Sequence, residues 1–293
     1  MSQPEANSRY YVPSSSHWPI ICCAALFTMF AGIGRWLHEL PSGPWVWFIG
    51  VSLLVVVLFG WFSNVISESL SGVYNEQVGR SFRSGMKVLI FSEIVFFSGF
   101  FGAYFFLRLW VVPQLGGEVH PITNVLLWPN FEAQWPLLTN PDNGRFLGAT
   151  DLGSPWGIPL ANTLLLLASS LTLTFAHRAS AQGHNRVLIA GLLVTILLGV
   201  AFLGLQAHEY IDDYESNNLT LNAGVYGSVF YLLTGFHGFH VLVGVIMIST
   251  LLGRAIKGHF ARPGDHFALE GVAWYWHFVD VVWLMLFVFV YWL

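Results

Sequence analysis

Charge is what this sequence has least of. Twelve Lys and Arg and sixteen Asp and Glu leave only 10% of its 293 residues charged, where about 25% is usual for a soluble domain. So few charges cannot cover the surface of a soluble protein of this length. Disorder is excluded as well, because disordered chains are poor in aromatics and this one is 16% aromatic. A net charge of −4 offers no basic face for nucleic acid. Cysteine is nearly absent: Cys22 and Cys23 are adjacent in an apolar run, neither a disulfide framework nor a zinc pattern. What is present is hydrophobic, 55% of the chain with a mean hydropathy of +0.61. That composition belongs to an integral membrane protein.

A helical span needs about 20 mostly apolar residues. Seven stretches qualify, near 18–37, 45–63, 88–109, 158–176, 187–207, 225–252 and 271–293. Together they hold four charges, Arg35, Glu93, Arg108 and Asp280. This segregation predicts an all-α membrane protein with seven transmembrane helices, not a barrel of alternating strands. Met1–His17 is polar and carries no small-residue cleavage site, so no cleavable signal peptide is read there.

Orientation follows from Lys and Arg. With the N-terminus in the cytoplasm, the inside segments hold nine of the twelve: Arg9, Arg80, Arg83, Lys87, Arg178, Arg186, Arg254, Lys257 and Arg262. Arg35, Arg108 and Arg145 fall outside. The C-terminus is then outside, and Glu209, Asp212, Asp213 and Glu215 in the segment 208–224 form an acidic outer patch. Residues 64–87 read as a polar cytoplasmic linker. Residues 110–157 read as a long outer loop, whose six prolines exclude another span and whose Trp128, Trp135 and Trp156 suggest packing on the membrane surface or a neighbour. No internal repeat supports a transporter built on inverted halves.

Three polar constellations lie in the spans. Glu93 is six residues past Lys87, about 9 Å along a helix. An ionisable group at that depth is a functional hypothesis by default: a proton-relay carboxylate, a headgroup or water ligand, or a protonated Glu that fixes packing. His277 and Asp280, at i and i+3, share a helix face. They form either a carboxylate-oriented imidazole or a structural polar pair, and the second reading is preferred. His237 and His240 raise the question of a haem or copper ligand. They lie on one helix without a fourth ligand or a Cys, and a metal role is disfavoured.

Several blocks make the sequence similar to the cytochrome c oxidase subunit III family. They are Ser92-Glu93-Ile-Val-Phe-Phe-Ser-Gly-Phe-Phe101, Leu198-Gly-Val-Ala-Phe-Leu-Gly-Leu-Gln-Ala-His-Glu209-Tyr210, Gly224-Val-Tyr-Gly-Ser-Val-Phe230 and Thr234-Gly-Phe-His-Gly-Phe-His-Val241. The closing block, Phe267-Ala-Leu-Glu270-Gly-Val-Ala-Trp-Tyr-Trp-His-Phe-Val-Asp280-Val-Val-Trp-Leu284, is the most specific. With Trp18-Pro19 and Val65-Ile-Ser-Glu68-Ser they run through nearly the whole chain in family order. The long loop near 118–157 departs from the compact mitochondrial form, reads as an insertion and favours a bacterial source.

The resemblance implies a single membrane domain over 1–293. A two-helix sub-bundle (18–63) would be divided from a five-helix sub-bundle (88–293) by a V-shaped cleft holding phospholipid. It implies the non-redox subunit III of a proton-pumping aa3-type oxidase that passes electrons from cytochrome c to dioxygen. The chain itself would bind no metal, with haem a, haem a3, CuA and CuB in partner subunits. Partners would be subunits I and II and membrane phospholipids, in a bacterial inner membrane with the N-terminus cytoplasmic and the C-terminus periplasmic. By position Glu93 is the family's buried carboxylate supporting proton uptake, and Glu68, Trp61 and Arg254 are lipid-binding candidates. Alternatives from the same residues are subunit III of a related quinol oxidase, which generally has five spans, or a proton-coupled transporter.

Overall fold

The computed structural model describes residues 11–12, 15–260 and 267–293. Arg9 and Arg262, both used in the orientation argument, lie outside the described residues. The described residues are helical, without a strand. In chain order the elements are α1 (Trp18–Leu37), α2 (Gly43–Leu70) and α3 (Glu76–Phe106). A π-helical turn, Leu107–Val111, leads from α3 into α4 (Val112–Leu115). Then come a short α5 (Pro121–Leu127), α6 (Ile158–Ala181), α7 (Asn185–Glu215), α8 (Val225–Ile256) and α9 (Phe267–Leu286), which continues as a π-helical segment, Phe287–Trp292. Seven of these rods, with α3 and α4 counted as one, are long and apolar enough to cross a membrane. Proline stands in the first turn of α1, α2 and α6, where its missing N–H has no helical partner to lose.

The helices outrun the apolar stretches that announce them. Of the segment read as a linker, 64–87, only 71–75 is outside a helix. Hydropathy marks where hydrocarbon is tolerated, but the main-chain ladder continues through Ser, Glu, Gln, Arg and Lys without penalty. The break falls at Gly72, whose φ of 76° suits glycine. The side-chain oxygen of Asn75 then accepts a 3.0 Å bond from the Val78 N–H at the start of α3. The loop read from 110 likewise begins later, because the α3 rod persists to Leu115. The acidic patch is corrected in the same way. Glu209, Asp212, Asp213 and Glu215 all lie on α7; Glu209 and Asp213 are buried, while Asp212 and Glu215 are exposed. Continued helix turns one side of the i, i+4 pair inward.

The chain divides into two compact units, the first ending at Phe82 and the second beginning at Arg83, within α3. In the first, α1 and α2 pack through small residues: Gly32 lies against the main chain of Trp47, and Gly50 against that of Met29. Side chains at either position would hold the helices apart. Phe27, Phe30, Trp45, Phe48 and Phe59 remain exposed.

In the second unit α6, α7, α8 and α9 form a closed ring, α6 meeting α7 and α9, and α8 meeting both α7 and α9. Its core holds two fully buried indoles. Trp276 donates 2.9 Å to Ser169 Oγ, and Trp283 donates 2.9 Å to Thr163 Oγ1. Each large apolar body thus finds a partner for its one donor. Trp276 fits because Gly199 and Gly244 leave room: a Cβ on either would stand 2.9 Å or less from the indole. The α3 rod joins the ring through long aromatic side chains, with Phe97 against Phe278, and Phe101 and Phe105 against Phe289. Tyr104 donates 2.7 Å to the Phe289 carbonyl, and Trp135, from the long loop, donates 3.1 Å to the Tyr104 hydroxyl. Phe131 and Leu137 of that loop are buried in the same core, whereas Trp156 stays exposed.

Candidate functional site

Glu93 sits in the middle of α3, and its Oε2 lies 3.0 Å from Nε2 of His240 on α8. The other imidazole nitrogen, Nδ1, lies 2.7 Å from the Phe236 carbonyl one turn back. A carbonyl only accepts, so Nδ1 carries a proton and donates it. Nε2 is therefore the variable position. It accepts from a protonated Glu93, or it donates to an ionised one, and one proton serves both arrangements.

Aromatic rings surround this pair. Phe97 meets the His240 ring edge-on at 5.0 Å, Phe96 and Phe239 flank it, and Tyr275 lies parallel to it at 6.4 Å. The Tyr275 hydroxyl donates 3.3 Å to the His240 carbonyl. The side chain of Glu93 keeps 28% of its surface and that of His240 10%. The arrangement is a proton-holding link at the edge of an apolar helix bundle, with its carboxyl end accessible.

The other two constellations separate. His237, one turn before His240, is 1% exposed between the rings of Phe202 and Trp283, with no hydrogen-bond partner at either nitrogen among the described residues. His237 and His240 thus do not converge. Among the described residues no group of three or more His, Cys, Asp or Glu is placed to hold a metal. His277 and Asp280 are both on α9, but the hydrogen bonds of His277 go to α6: Nδ1 is 3.2 Å from Ser170 Oγ, and Nε2 is 3.4 Å from Thr174 Oγ1. Asp280 is 7% exposed, and its Oδ1 has no partner among the described residues.

The lipid candidates lie in both units. In the first, Trp61 is half-buried, and Glu68 accepts 3.1 Å from the Tyr74 hydroxyl. Burial, together with Glu68, pushes the Tyr74 phenol up to about 12, which keeps it a donor. In the second, the Arg254 guanidinium lies 5.0 Å over the Phe260 ring, and its Nε is buried without a partner among the described residues.

His240 as the partner of Glu93 is the residue that sequence reasoning missed; both lie in quoted blocks, 147 residues apart. The burial of Glu209 was missed as well. The signal available was Gln206 at i−3, whose Nε2 donates 3.1 Å to Glu209 and lies 3.3 Å from the Tyr291 hydroxyl.

Fold and site together define a polytopic helical membrane protein with a protonatable pair inside it. The family model for cytochrome c oxidase subunit III matches residues 8–140 and 146–293, leaving only five residues of the long loop between the two stretches. Proteins named cytochrome c oxidase subunit 3 are similar over 97% of this chain and 96% of their own length. Those of Latimeria chalumnae and Cyprinus carpio are 38% identical, and that of Dasypus novemcinctus 37%. The chain belongs to the cytochrome c oxidase subunit III family, and is accordingly one subunit of an oxidase complex.

Proposed function

We propose that this chain is the non-redox subunit III of a proton-pumping aa3-type cytochrome c oxidase in a bacterial inner membrane, and that it supports proton uptake. The observation that carries the protonic role is the Glu93–His240 pair. The proton between Glu93 and Nε2 shifts from one to the other with both hydrogen bonds kept, and the carboxyl end, where a proton would be exchanged, remains reachable. Electron transfer belongs to haem a, haem a3, CuA and CuB in the partner subunits I and II, with cytochrome c as donor and dioxygen as acceptor. The chain stabilises subunit I.

The cytoplasmic side is the one to which the nine basic residues are assigned. Phospholipid binds to this chain. The Arg254 guanidinium, whose Nε has no partner among the described residues, is a candidate for a headgroup phosphate, and Glu68 and Trp61 are separate candidates for lipid contact. Purification tests the subunit reading. The chain travels with a haem-absorbing complex and is colourless when released. A chain that purifies alone and carries out proton-coupled transport in vesicles overturns it.

A further inference from the structure

The short helix α5 is amphipathic in the wrong sense for a loop in water. Its Asn124 is turned into the loop, where Nδ2 donates 2.9 Å to the Trp128 carbonyl and 2.9 Å to that of Phe131. Phe131 is buried in the core of the second unit, so these bonds fix the rotation of α5 as well as its place. At about 100° per residue, Ile122 and Leu126 stand opposite Asn124. They are 68% and 73% exposed, and Val125 and Leu127 beside them are exposed too. The helix, Pro-Ile-Thr-Asn-Val-Leu-Leu, holds no titratable residue. A helix facing water would turn its amide outward and bury the aliphatic stripe.

The depth of α5 follows from α3. The apolar stretch 88–109 covers about 33 Å at 1.5 Å per residue, close to the roughly 30 Å of hydrocarbon. The rod therefore leaves the hydrocarbon near Leu109 and Trp110, both exposed. Its continuation to Leu115 carries the chain about 8 Å further, through the headgroup layer. Gly117, with φ 85°, then turns the chain, and a Cβ on it would stand 2.9 Å from that of Asn124, so α5 folds back against the turn. Trp156 and Trp292, exposed and in ring contact at 5.6 Å, stand at the corresponding ends of α6 and α9, as in the aromatic belt of a membrane interface. We propose that α5 is an interfacial anchor, with Ile122, Val125 and Leu126 inserted among the acyl chains of the leaflet at which α3 ends. A purely aliphatic stripe at that depth suits lipid, whereas protein partners are held mainly through Trp, Tyr and Arg. Contact with lipid does not depend on which side of the membrane that leaflet faces.

Fluorescence quenching of the intact oxidase complex in lipid nanodiscs tests this. With Cys22 and Cys23 replaced by Ser, Leu126→Cys carries a bimane label, and Asp151→Cys, at an exposed position of the same loop, carries the reference label. The complex without either substitution, taken through the same labelling, supplies the background, and haem content at the wild-type level certifies assembly. Phosphatidylcholine brominated on its acyl chains should quench the Leu126 label severalfold more than the Asp151 label, and aqueous iodide should do the reverse. Ile122→Cys should match Leu126→Cys, while a label at half-buried Thr123 should be quenched less, the periodicity of a helix with one face in lipid. A Leu126 label quenched no more by brominated chains than the Asp151 label overturns the anchor. Strong iodide quenching then puts the stripe in water, and protection from both quenchers puts it against another protein. If Leu126→Cys does not assemble, Ile122→Cys decides by the same comparison.

Discussion

A single proton position explains why Glu93 and His240 belong together. The Phe236 carbonyl fixes one nitrogen of the ring, so the other must match whatever state Glu93 adopts. Replacing His240 by Leu leaves the carboxyl among aromatic rings with its partner gone, a loss of about 1–3 kcal/mol. Glu93→Gln keeps a neutral donor in place and costs less. Thermal unfolding of the two variants in detergent, compared with wild type, checks the order. Glycine acts at the same scale. Gly244→Ala would place a Cβ 2.6 Å from the Trp276 ring, whereas a Cβ at Gly204 meets nothing within 4 Å. Overpacking of this kind typically costs 1–3 kcal/mol. Gly244→Ala is therefore expected to lower the unfolding temperature and Gly204→Ala to leave it near wild type.

At the level of elements, contacts of two kinds that hold α3 to α9 can be told apart. Midway, aromatic rings interlock. Near the start of both helices, Arg83 contacts Glu270 Oε2 through Nη2 at 2.8 Å and Nε at 2.9 Å. Both side chains retain a quarter to a third of their surface, so solvent weakens the pair. A double-mutant cycle with Arg83→Gln and Glu270→Gln should give a coupling of about 1 kcal/mol or less, diminished by salt.

Much of this scale was legible in the sequence. Apolar runs located every long helix, and a lone carboxylate in an apolar run marked Glu93. Helix ends were not legible at 64–87 or 208–215, because hydropathy registers the bilayer rather than the hydrogen-bond ladder. Nor could periodicity reveal His240 as the partner of Glu93 or Ser170 as that of His277. Spacing tells which face of a helix a residue shares, but not which other helix meets that face.

For the whole molecule, the proposed orientation rests on the basic residues, and labelling can read it. With Cys22 and Cys23 replaced by Ser, a cysteine at exposed Asp151 should react with an impermeant maleimide in intact cells. One at exposed Lys257 should react only after the membrane is opened. The reverse pattern would invert the topology and place the long loop in the cytoplasm. A scarcity of charge that first announced a membrane protein also makes each buried charge informative at this scale. Glu93 and Glu209 are hydrogen-bonded to an imidazole and an amide rather than to Lys or Arg.

The most direct test is sustained turnover of the intact complex carrying Glu93→Gln, with proton uptake followed in the same preparation. The account predicts haem content and initial electron transfer close to wild type, with slower proton uptake and earlier loss of activity during turnover. Wild-type uptake, pumping and endurance in that variant would contradict a protonic role for this chain.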